Sequence, residues 1–323
     1  MIIESILVVF FALGLDFLFG DPKNKFHPTV WIGRLIAKLI TAFKNTSHTF
    51  EKILGVFVIL ISTGTVVLFL LLIDVGLNLI TVEIFSVIAT VVIGAILLKT
   101  TIAVKGMEKH AMAVVHSLQH DDMASARDNL SMVVKRNTKN LDKNHVISGV
   151  IESISENTVD GITGPLFYFG LFGIPGAFVY RVVNTADSMI GYKTEIFKDI
   201  GWFGANCDKL LNYIPSRLTA LTMILSAMIL KNDWKKSYEI MIRDGRKTES
   251  PNAGYPMAAI AGALGKRFEK IGHYSLGDGD VSFSIDHIRS AITLMKVTVV
   301  IFSSLIVVPM ILALSYLGWW LHA

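Results

Sequence analysis

Two long stretches without any charged residue most limit what this chain can fold into. They run over Ile53–Ile73 and Val297–Leu321. A helix of about 20 apolar residues crosses the hydrocarbon core of a bilayer. Charged residues make up only 17% of the 323 residues, whereas soluble domains carry roughly 25%. The sequence therefore predicts an all-α, polytopic integral membrane bundle, organised as a single membrane domain over residues 1–323.

Two further stretches complete the predicted spans. Residues 1–19 have Glu4 and Asp16 as their only charges and lack the basic start and cleavage site of a signal peptide, which predicts a retained anchor helix. Residues 84–104 form a span if Lys99 extends its amine towards the headgroups. The predicted spans are therefore about residues 1–19, 53–73, 84–104 and 297–321.

Two more apolar segments, about residues 161–180 and 210–230, do not resemble ordinary spans. The first contains two prolines and several glycines, and the second is apolar over too short a length. Interrupted backbone is tolerated at membrane depth only where protein or a water-filled cavity covers it. We expect both segments to be broken or re-entrant helices that line a site.

The distribution of basic residues predicts the orientation. The turn Asp74–Glu83 has two acids and no lysine or arginine, which favours an outside location. Basic residues concentrate in residues 20–52, 105–160 and 231–296, which we expect to be cytoplasmic. The sequence thus predicts a multi-pass protein of the cell membrane with its active site facing the cytoplasm. A net charge of only +4, scattered along the chain, argues against a nucleic-acid partner.

The richest polar cluster lies just before the first broken segment. Glu152, Glu156 and Asp160 are spaced by four residues, so a helix would stack them along one face, with Asn157 beside them. Such carboxylates repel one another unless a cation lies between them, and Mg²⁺ takes carboxylate and phosphate oxygens. We expect these three acids to be catalytic residues and metal ligands. The alternative is a solvated helix face.

A second cluster follows the same broken segment. Arg181, Asn184 and Asp187 repeat at helical spacing. An arginine at the end of an apolar run can hold phosphate or carboxylate through two parallel hydrogen bonds. The alternative is a contact between Arg181 and Asp187 that only satisfies both groups.

Two polar turns are further candidates for substrate binding. Ser250 and Asn252 lie in a Pro- and Gly-rich turn that follows several basic residues, so the turn could bind an anion or simply precede a helix. Asp21 and His27 follow the first span, where His27 has the alternative role of a capping or packing residue. The single cysteine, Cys207, excludes an intrachain disulfide and a cysteine-based metal cage.

These clusters, in this order, resemble the adenosylcobinamide-phosphate synthases, the membrane proteins of the CobD/CbiB type. The long central block is the most specific part of the resemblance. There are two departures: Asn137 stands where the family has an acid, and Tyr255 where a tryptophan is expected. The matching stretches are GDP, HP and IGR near the start, ESISENTVDGITGPLFYFGLFGIPGAFVYRVVNTADSMIGY, GWFGANCDKLLNYIPSRLTA, SPNAGYPMAAIAGALG and LGDG.

The resemblance implies a step of cobalamin biosynthesis. The carboxyl group of adenosylcobyric acid would be joined to the amine of (R)-1-aminopropan-2-ol phosphate, or of a related amino-alcohol phosphate, giving adenosylcobinamide phosphate. Because amide formation is uphill in water, ATP with Mg²⁺ would activate the carboxylate, and the corrinoid would be a substrate that brings its own cobalt. The lipid bilayer and later membrane enzymes of cobamide assembly would be the partners.

On this interpretation the candidate residues take separate roles. The catalytic group is Glu152, Glu156, Asp160 and Asp187, and the metal ligands are Glu152, Glu156 and Asp160. The substrate-binding group is Arg136, Asn157, Arg181, Asn184, Ser250, Asn252, Asp21 and His27.

Two other functions fit parts of the pattern. A Mg²⁺-dependent membrane prenyl- or alcohol-phosphate transferase would also place acids four residues apart on a membrane helix, although it would usually have a second acid motif. A transporter or sensor would also use broken helices and polar groups at membrane depth, but the chain has no internal repeat to support it.

Overall fold

The computed structural model describes residues 2–22, 24–43, 47–134, 136–191 and 197–318, and nearly all of their regular structure is helical. Five helical stretches within these ranges are long and apolar enough to cross a membrane. The prediction of an all-α, polytopic membrane protein is confirmed. These stretches are Ile2–Phe19, His48–Asn78, Glu83–Gln119, Lys143–Ile190 and Ile285–Tyr316.

The elements follow one another in a simple order, with one small hairpin late in the chain. The first helices are α1 (Ile2–Phe19), α2 (Pro28–Phe43), α3 (His48–Asn78), α4 (Glu83–Lys99), α5 (Val104–Gln119), α6 (Met123–Ser131), α7 (Lys143–Thr158) and α8 (Gly164–Ile190). The later elements are α9 (Trp202–Leu211), α10 (Tyr213–Ile229), α11 (Trp234–Asp244), α12 (Gly254–Leu264), β1 (Phe268–Lys270), β2 (Tyr274–Leu276), α13 (Ile285–Phe302) and α14 (Val308–Tyr316). Short π-helical turns cover Val159–Thr163 and Ser303–Val307.

The chain divides into two compact units. The first consists of Met1–Ala103, Gly164–Leu211 and Ile306–Ala323, and the second of Val104–Thr163 and Asn212–Leu305. The predicted single membrane domain, the membrane crossings of the two broken segments and the three cytoplasmic segments stay predictions. The last residues of the predicted span 297–321, residues 319–321, lie outside the described residues.

In the first unit, α1 packs on α4, and α3 packs on α2 and α8. Aliphatic side chains such as Ile36, Val58 and Val182 form the core. Close approach depends on small residues, since a side-chain carbon at Gly94 would lie 2.9 Å from a methyl group of Val8. Between helices that cross a membrane, such contacts stabilise the fold through van der Waals packing, because lipid is as apolar as the core.

The regular helix that begins the predicted span 84–104 is interrupted before residue 104. Helix α4 stops at Lys99, and the hydroxyl groups of Thr100 and Thr101 donate hydrogen bonds to the carbonyl groups of Leu97 and Leu98. The Lys99 side chain is only 10% exposed, with its amine 4.0 Å from a carboxylate oxygen of Asp21. The amine therefore faces a protein charge rather than reaching outward, because an acid is available nearby.

The first broken segment has its interruption inside α8. Phe172 and Gly173 leave the helical conformation, and Gly173 has a φ of 63° with a ψ of −155°. Only glycine adopts this region of backbone space readily. Pro175 follows and cannot donate the hydrogen bond of a regular helix. In the second predicted segment, Asn212 separates α9 from a continuous α10.

In the second unit, α12 packs closely on α11, and α10 contacts both α12 and α13. Gly262 allows the approach, because a side-chain carbon there would lie 2.4 Å from the carbonyl oxygen of Lys236. The antiparallel hairpin pairs Phe268 with Leu276 and Lys270 with Tyr274. This hairpin is a local departure from the helical prediction, and it brings Tyr274 to the polar cluster described below.

The contrast between two glycines of α3 tests the packing of the first unit. A methyl group at Gly55 would lie 2.1 Å from the carbonyl oxygen of Ile200, whereas at Gly64 it would meet nothing within 4 Å. We expect Gly55→Ala to lower the unfolding free energy by about 1–3 kcal/mol, as overpacking does. Gly64→Ala, the matched control, should not lower it, because alanine is the better helix former and meets nothing there. Thermal unfolding in detergent measures both variants, and equal stabilities would contradict this packing.

Candidate functional site

A buried carboxylate, Glu152, is the centre of the candidate site in the second unit. Its Oε1 accepts hydrogen bonds from Nη2 of Arg136 at 3.2 Å and from Oγ of Ser148 at 2.8 Å. Its Oε2 accepts one from the hydroxyl group of Tyr274 at 2.6 Å. The residue is only 4% exposed. Three protein donors, one of them positively charged, therefore stabilise a charge that burial would otherwise disfavour.

Local sequence explains how these groups meet. Asp142 is the N-cap residue of helix α7. Its carboxylate accepts the backbone hydrogen of His145 and so caps the first turn. One turn further on, a side chain at Gly149 would lie 2.5 Å from Nη2 of Arg136. The missing side chain at Gly149 leaves the space through which Arg136 reaches Glu152.

Tyr274 completes the cluster from strand β2. Burial raises the pKa of its phenol, and the negative charge of Glu152 and the hydrogen bond to it raise the pKa further. The negative charge of Glu156 also raises the pKa of Tyr274, so the Glu156 carboxylate lies near the same phenol. Tyr274 therefore remains protonated at neutral pH and acts as a hydrogen-bond donor to Glu152.

The metal-ligand role predicted for Glu152 does not fit this environment. Its oxygens are already occupied by Arg136, Ser148 and Tyr274. The regular helix also ends at Thr158, so Asp160 lies in the following π turn and not on the same uninterrupted α-helix. Among the residues that the structure describes, no group of three acidic, histidine or cysteine side chains could hold a metal ion.

Arg136 and Asn157 are likewise engaged within the protein. Arg136, predicted to neutralise a phosphate, is the cationic partner of Glu152. The amide nitrogen of Asn157 donates to the carbonyl and hydroxyl oxygens of Ser153, at 2.9 Å and 3.2 Å. Both residues support the shape of the cluster, whatever further contacts a substrate adds.

The first unit contains the second predicted cluster. Nη1 of Arg181 donates to Oδ1 of Asn184 at 3.1 Å, and Nδ2 of Asn184 donates to Oδ1 of Asp208 at 3.3 Å. Asp187 lies in the last turn of α8, and its carboxylate occupies the space that a side chain at Gly191 would need. Asp208 extends the cluster from α9 and was missed by the sequence reasoning. The motif GANCD, within the matching block, was the available signal.

Asp21 and His27 also come together in the first unit. Nε2 of His27 lies 3.5 Å from Oδ1 of Asp21. Nδ1 of His27 accepts the backbone hydrogen of Thr29 at 3.2 Å, at the start of α2. This contact corresponds to the capping role that the sequence left open for His27, and substrate binding by the pair stays a prediction.

The Ser250–Asn252 turn belongs to the second unit and contacts a residue that sequence reasoning did not select. Oγ of Ser250 accepts backbone hydrogens from Asn252 and Ala253, both at 3.4 Å. Oδ1 of Asn252 accepts a hydrogen bond from Nη1 of Arg217 at 3.2 Å. Arg217 lies in the motif PSRLTA of the matching stretch, which was the only signal for it.

A second buried acid, Asp244, accepts a hydrogen bond from the backbone of Gly277, in the turn that follows β2. Burial alone would raise the pKa of its carboxyl group, but hydrogen bonds from Arg243, Lys247 and the backbone of Gly277 hold that pKa well below its ordinary value. Arg243 also pairs with Asp278 at 2.8 Å. Arg243, one of the basic residues before the Ser250–Asn252 turn, is therefore paired with protein carboxylates.

Together these features define a class of protein: a multi-pass helical membrane protein with buried polar clusters built around Glu152, Asp244 and Asn184. The family model of the CobD/CbiB proteins matches residues 9–311. The chain belongs to this family.

Curated relatives agree with the assignment. A protein of Methanothermobacter thermautotrophicus, described as a probable cobalamin biosynthesis protein CobD, is 38% identical over 93% of this chain and 96% of its own. The corresponding figures for a cobalamin biosynthesis protein CobD of Dehalococcoides mccartyi are 38%, 85% and 87%. A further probable CobD, from Methanocaldococcus jannaschii, is 36% identical over 98% of both chains. No solved structure matches the chain.

The hydrogen bond between Tyr274 and Glu152 can be tested by removing one hydroxyl group. Tyr274→Phe leaves a buried carboxylate with one donor fewer, and we expect a loss of about 1.5–3 kcal/mol in unfolding free energy. Tyr238→Phe is the matched control, since Tyr238 is 51% exposed on α11. Thermal unfolding in detergent compares the two, and a Tyr274→Phe variant as stable as the control would contradict the geometry.

Proposed function

We propose that this protein acts in cobalamin biosynthesis as an amide-forming ligase. It would join the carboxyl group of adenosylcobyric acid to the amine of (R)-1-aminopropan-2-ol phosphate or a related amino-alcohol phosphate. The observation that carries the proposal is the family match over residues 9–311, which includes the polar clusters of both units. Two of the relatives are described as cobalamin biosynthesis proteins.

The chemistry requires an activated carboxylate. A carboxylate and an amine do not condense favourably in water, so a carboxylate oxygen would first attack the γ-phosphorus of ATP, with ADP leaving. The amine would then attack the acyl carbon of the acyl phosphate and release inorganic phosphate. It would lose one proton to a base, for which Asp187 and Glu156 are the proposed residues.

Magnesium enters this proposal only as the companion of ATP. The three-carboxylate site does not fit, because Glu152 is occupied by protein donors. Mg²⁺ is commonly held by one or two carboxylates plus substrate phosphates. We therefore propose Asp160 as its protein ligand, keep Glu156 for proton transfer, and assign Glu152 to positioning Arg136 and Tyr274.

Substrate binding and orientation complete the proposal. In the first unit, Arg181 and Asn184 would bind polar groups of the substrates, with Asp21 and His27 as a further contact. In the second unit, Asn252 would bind a polar group, with Ser250 holding its turn. The site would face the cytoplasm, where ATP and the corrinoid are available. Delivery of the product to later membrane enzymes of cobamide assembly follows from a product made at the membrane surface.

A reconstituted reaction tests this function. Purified protein in detergent, given adenosylcobyric acid, aminopropanol phosphate and Mg-ATP, should form an amide of the expected mass. Omitting ATP should abolish the product. Absence of product across a broad pH range, with a corrinoid that still binds, would contradict the proposal. A transferase or a transporter would also give no amide here.

The same assay separates a catalytic residue from a solvated acid. Glu156→Gln should lower turnover by about 100-fold or more, the usual contribution of a general acid or base, without loss of the folded protein. Glu239→Gln is the control, since Glu239 is exposed on α11. Near-normal turnover of Glu156→Gln would remove Glu156 from the mechanism.

A further inference from the structure

Arg217, near the start of α10, contacts two aromatic rings and three hydrogen-bond acceptors. Its guanidinium lies close to two aromatic rings, 3.6 Å from the ring centre of Tyr213 and 4.4 Å from that of Tyr255. Nη1 donates to the carbonyl oxygen of Tyr213 at 2.6 Å, to Oγ of Ser216 at 3.3 Å and to Oδ1 of Asn252 at 3.2 Å. These contacts fix the plane of the guanidinium without neutralising its charge.

A second arginine reaches the same tyrosine. Nε of Arg246 donates to the hydroxyl oxygen of Tyr255 at 3.2 Å. The hydrogen bond from Arg246, followed by the positive charges of Arg217 and Arg246, lowers the pKa of the Tyr255 phenol, although burial opposes the change. Two cations therefore act on one neutral phenol.

Three other arginines of this unit have acidic partners. Arg136 pairs with Glu152, Arg243 with Asp244 and Asp278, and Arg289 with Asp286. Across the described ranges of the chain, no carboxylate lies within 4.0 Å of the guanidinium of Arg217 or of Arg246. Two neighbouring cations without a protein counter-charge favour an anion, and a planar guanidinium suits bidentate binding of a phosphate.

We propose that Arg217 and Arg246, on the platform of Tyr213 and Tyr255, form the binding site for a substrate phosphate group. The Ser250 turn contributes by holding Asn252, which orients Arg217. The proposal rests on the proposed function only for the identity of the phosphate, which belongs either to ATP or to the amino-alcohol phosphate. It replaces the phosphate role that sequence reasoning gave to Arg136, which is paired with Glu152.

Binding measurements on the full-length protein in detergent test this site. Isothermal titration with ATP and, separately, with aminopropanol phosphate gives an affinity for each source of phosphate. Arg217→Lys keeps the charge but loses the planar fork, and Arg246→Gln removes an exposed charge. Each variant should weaken binding of one of the two ligands by about 10- to 100-fold, as expected for lost hydrogen bonds to a charged group.

A matched control keeps the test specific. Arg289→Gln removes another half-exposed arginine of the same unit, one that pairs with Asp286, and should leave both affinities within two-fold. Because Arg246 is exposed, its variant provides the result if Arg217→Lys does not fold. The ligand whose affinity falls identifies the source of the phosphate.

The two proposals fail in different ways. Unchanged affinities of both variants for both ligands, or no measurable binding of either ligand to the parent protein, would overturn the phosphate site. If the variants also form amide with unchanged KM values for ATP and for the amino-alcohol phosphate, the ligase function stands without this site. Weakened binding by the variants, together with no amide product from the parent protein, would instead retain the site and remove the ligase function.

Discussion

The charge of Glu152 is the constraint on which the organisation of the second unit depends. A carboxylate this deeply buried is stable only if strong donors replace water, and these donors come from three places in the chain: Arg136 before α7, Ser148 within α7 and Tyr274 on β2. Satisfying one charge thus fixes a helix, the segment before it and the hairpin together. Removing a single partner of such a buried pair typically costs about 3–5 kcal/mol, so the cluster specifies this arrangement.

Four arginines of this unit differ in their partners, and the difference suggests where chemistry occurs. Arg136 and Arg243 are paired with acids that hold the fold together, whereas Arg217 and Arg246 surround a tyrosine. Paired charges contribute to architecture, because their fields are largely cancelled. The other two leave a positive field available to a ligand, which is why the phosphate site is inferred at Arg217 and Arg246.

Much of the fold was predictable from local sequence, because the length of a charge-free run and the position of glycine are local properties. The span predicted at 53–73 lies within α3, and the conformational break at Gly173 falls inside a segment predicted to be broken. The contact between Glu152 and Tyr274 joins residues 122 positions apart, and that of Arg217 with Asn252 joins residues 35 apart. The periodicity of a sequence does not predict contacts between residues so far apart in the chain. Helical spacing therefore grouped Glu152 with other acids as a metal site, while the fold gives it an arginine and a tyrosine.

Isotope transfer from the carboxyl group tests the central claim, ATP-driven amide formation, most directly. Adenosylcobyric acid labelled with ¹⁸O at both oxygens of the reacting carboxyl group would be converted by the purified protein with aminopropanol phosphate and Mg-ATP. The products would be analysed by mass spectrometry. An acyl phosphate predicts one ¹⁸O atom in the released inorganic phosphate for each amide formed. Amide formation with unlabelled phosphate, or label appearing in AMP, would contradict the account.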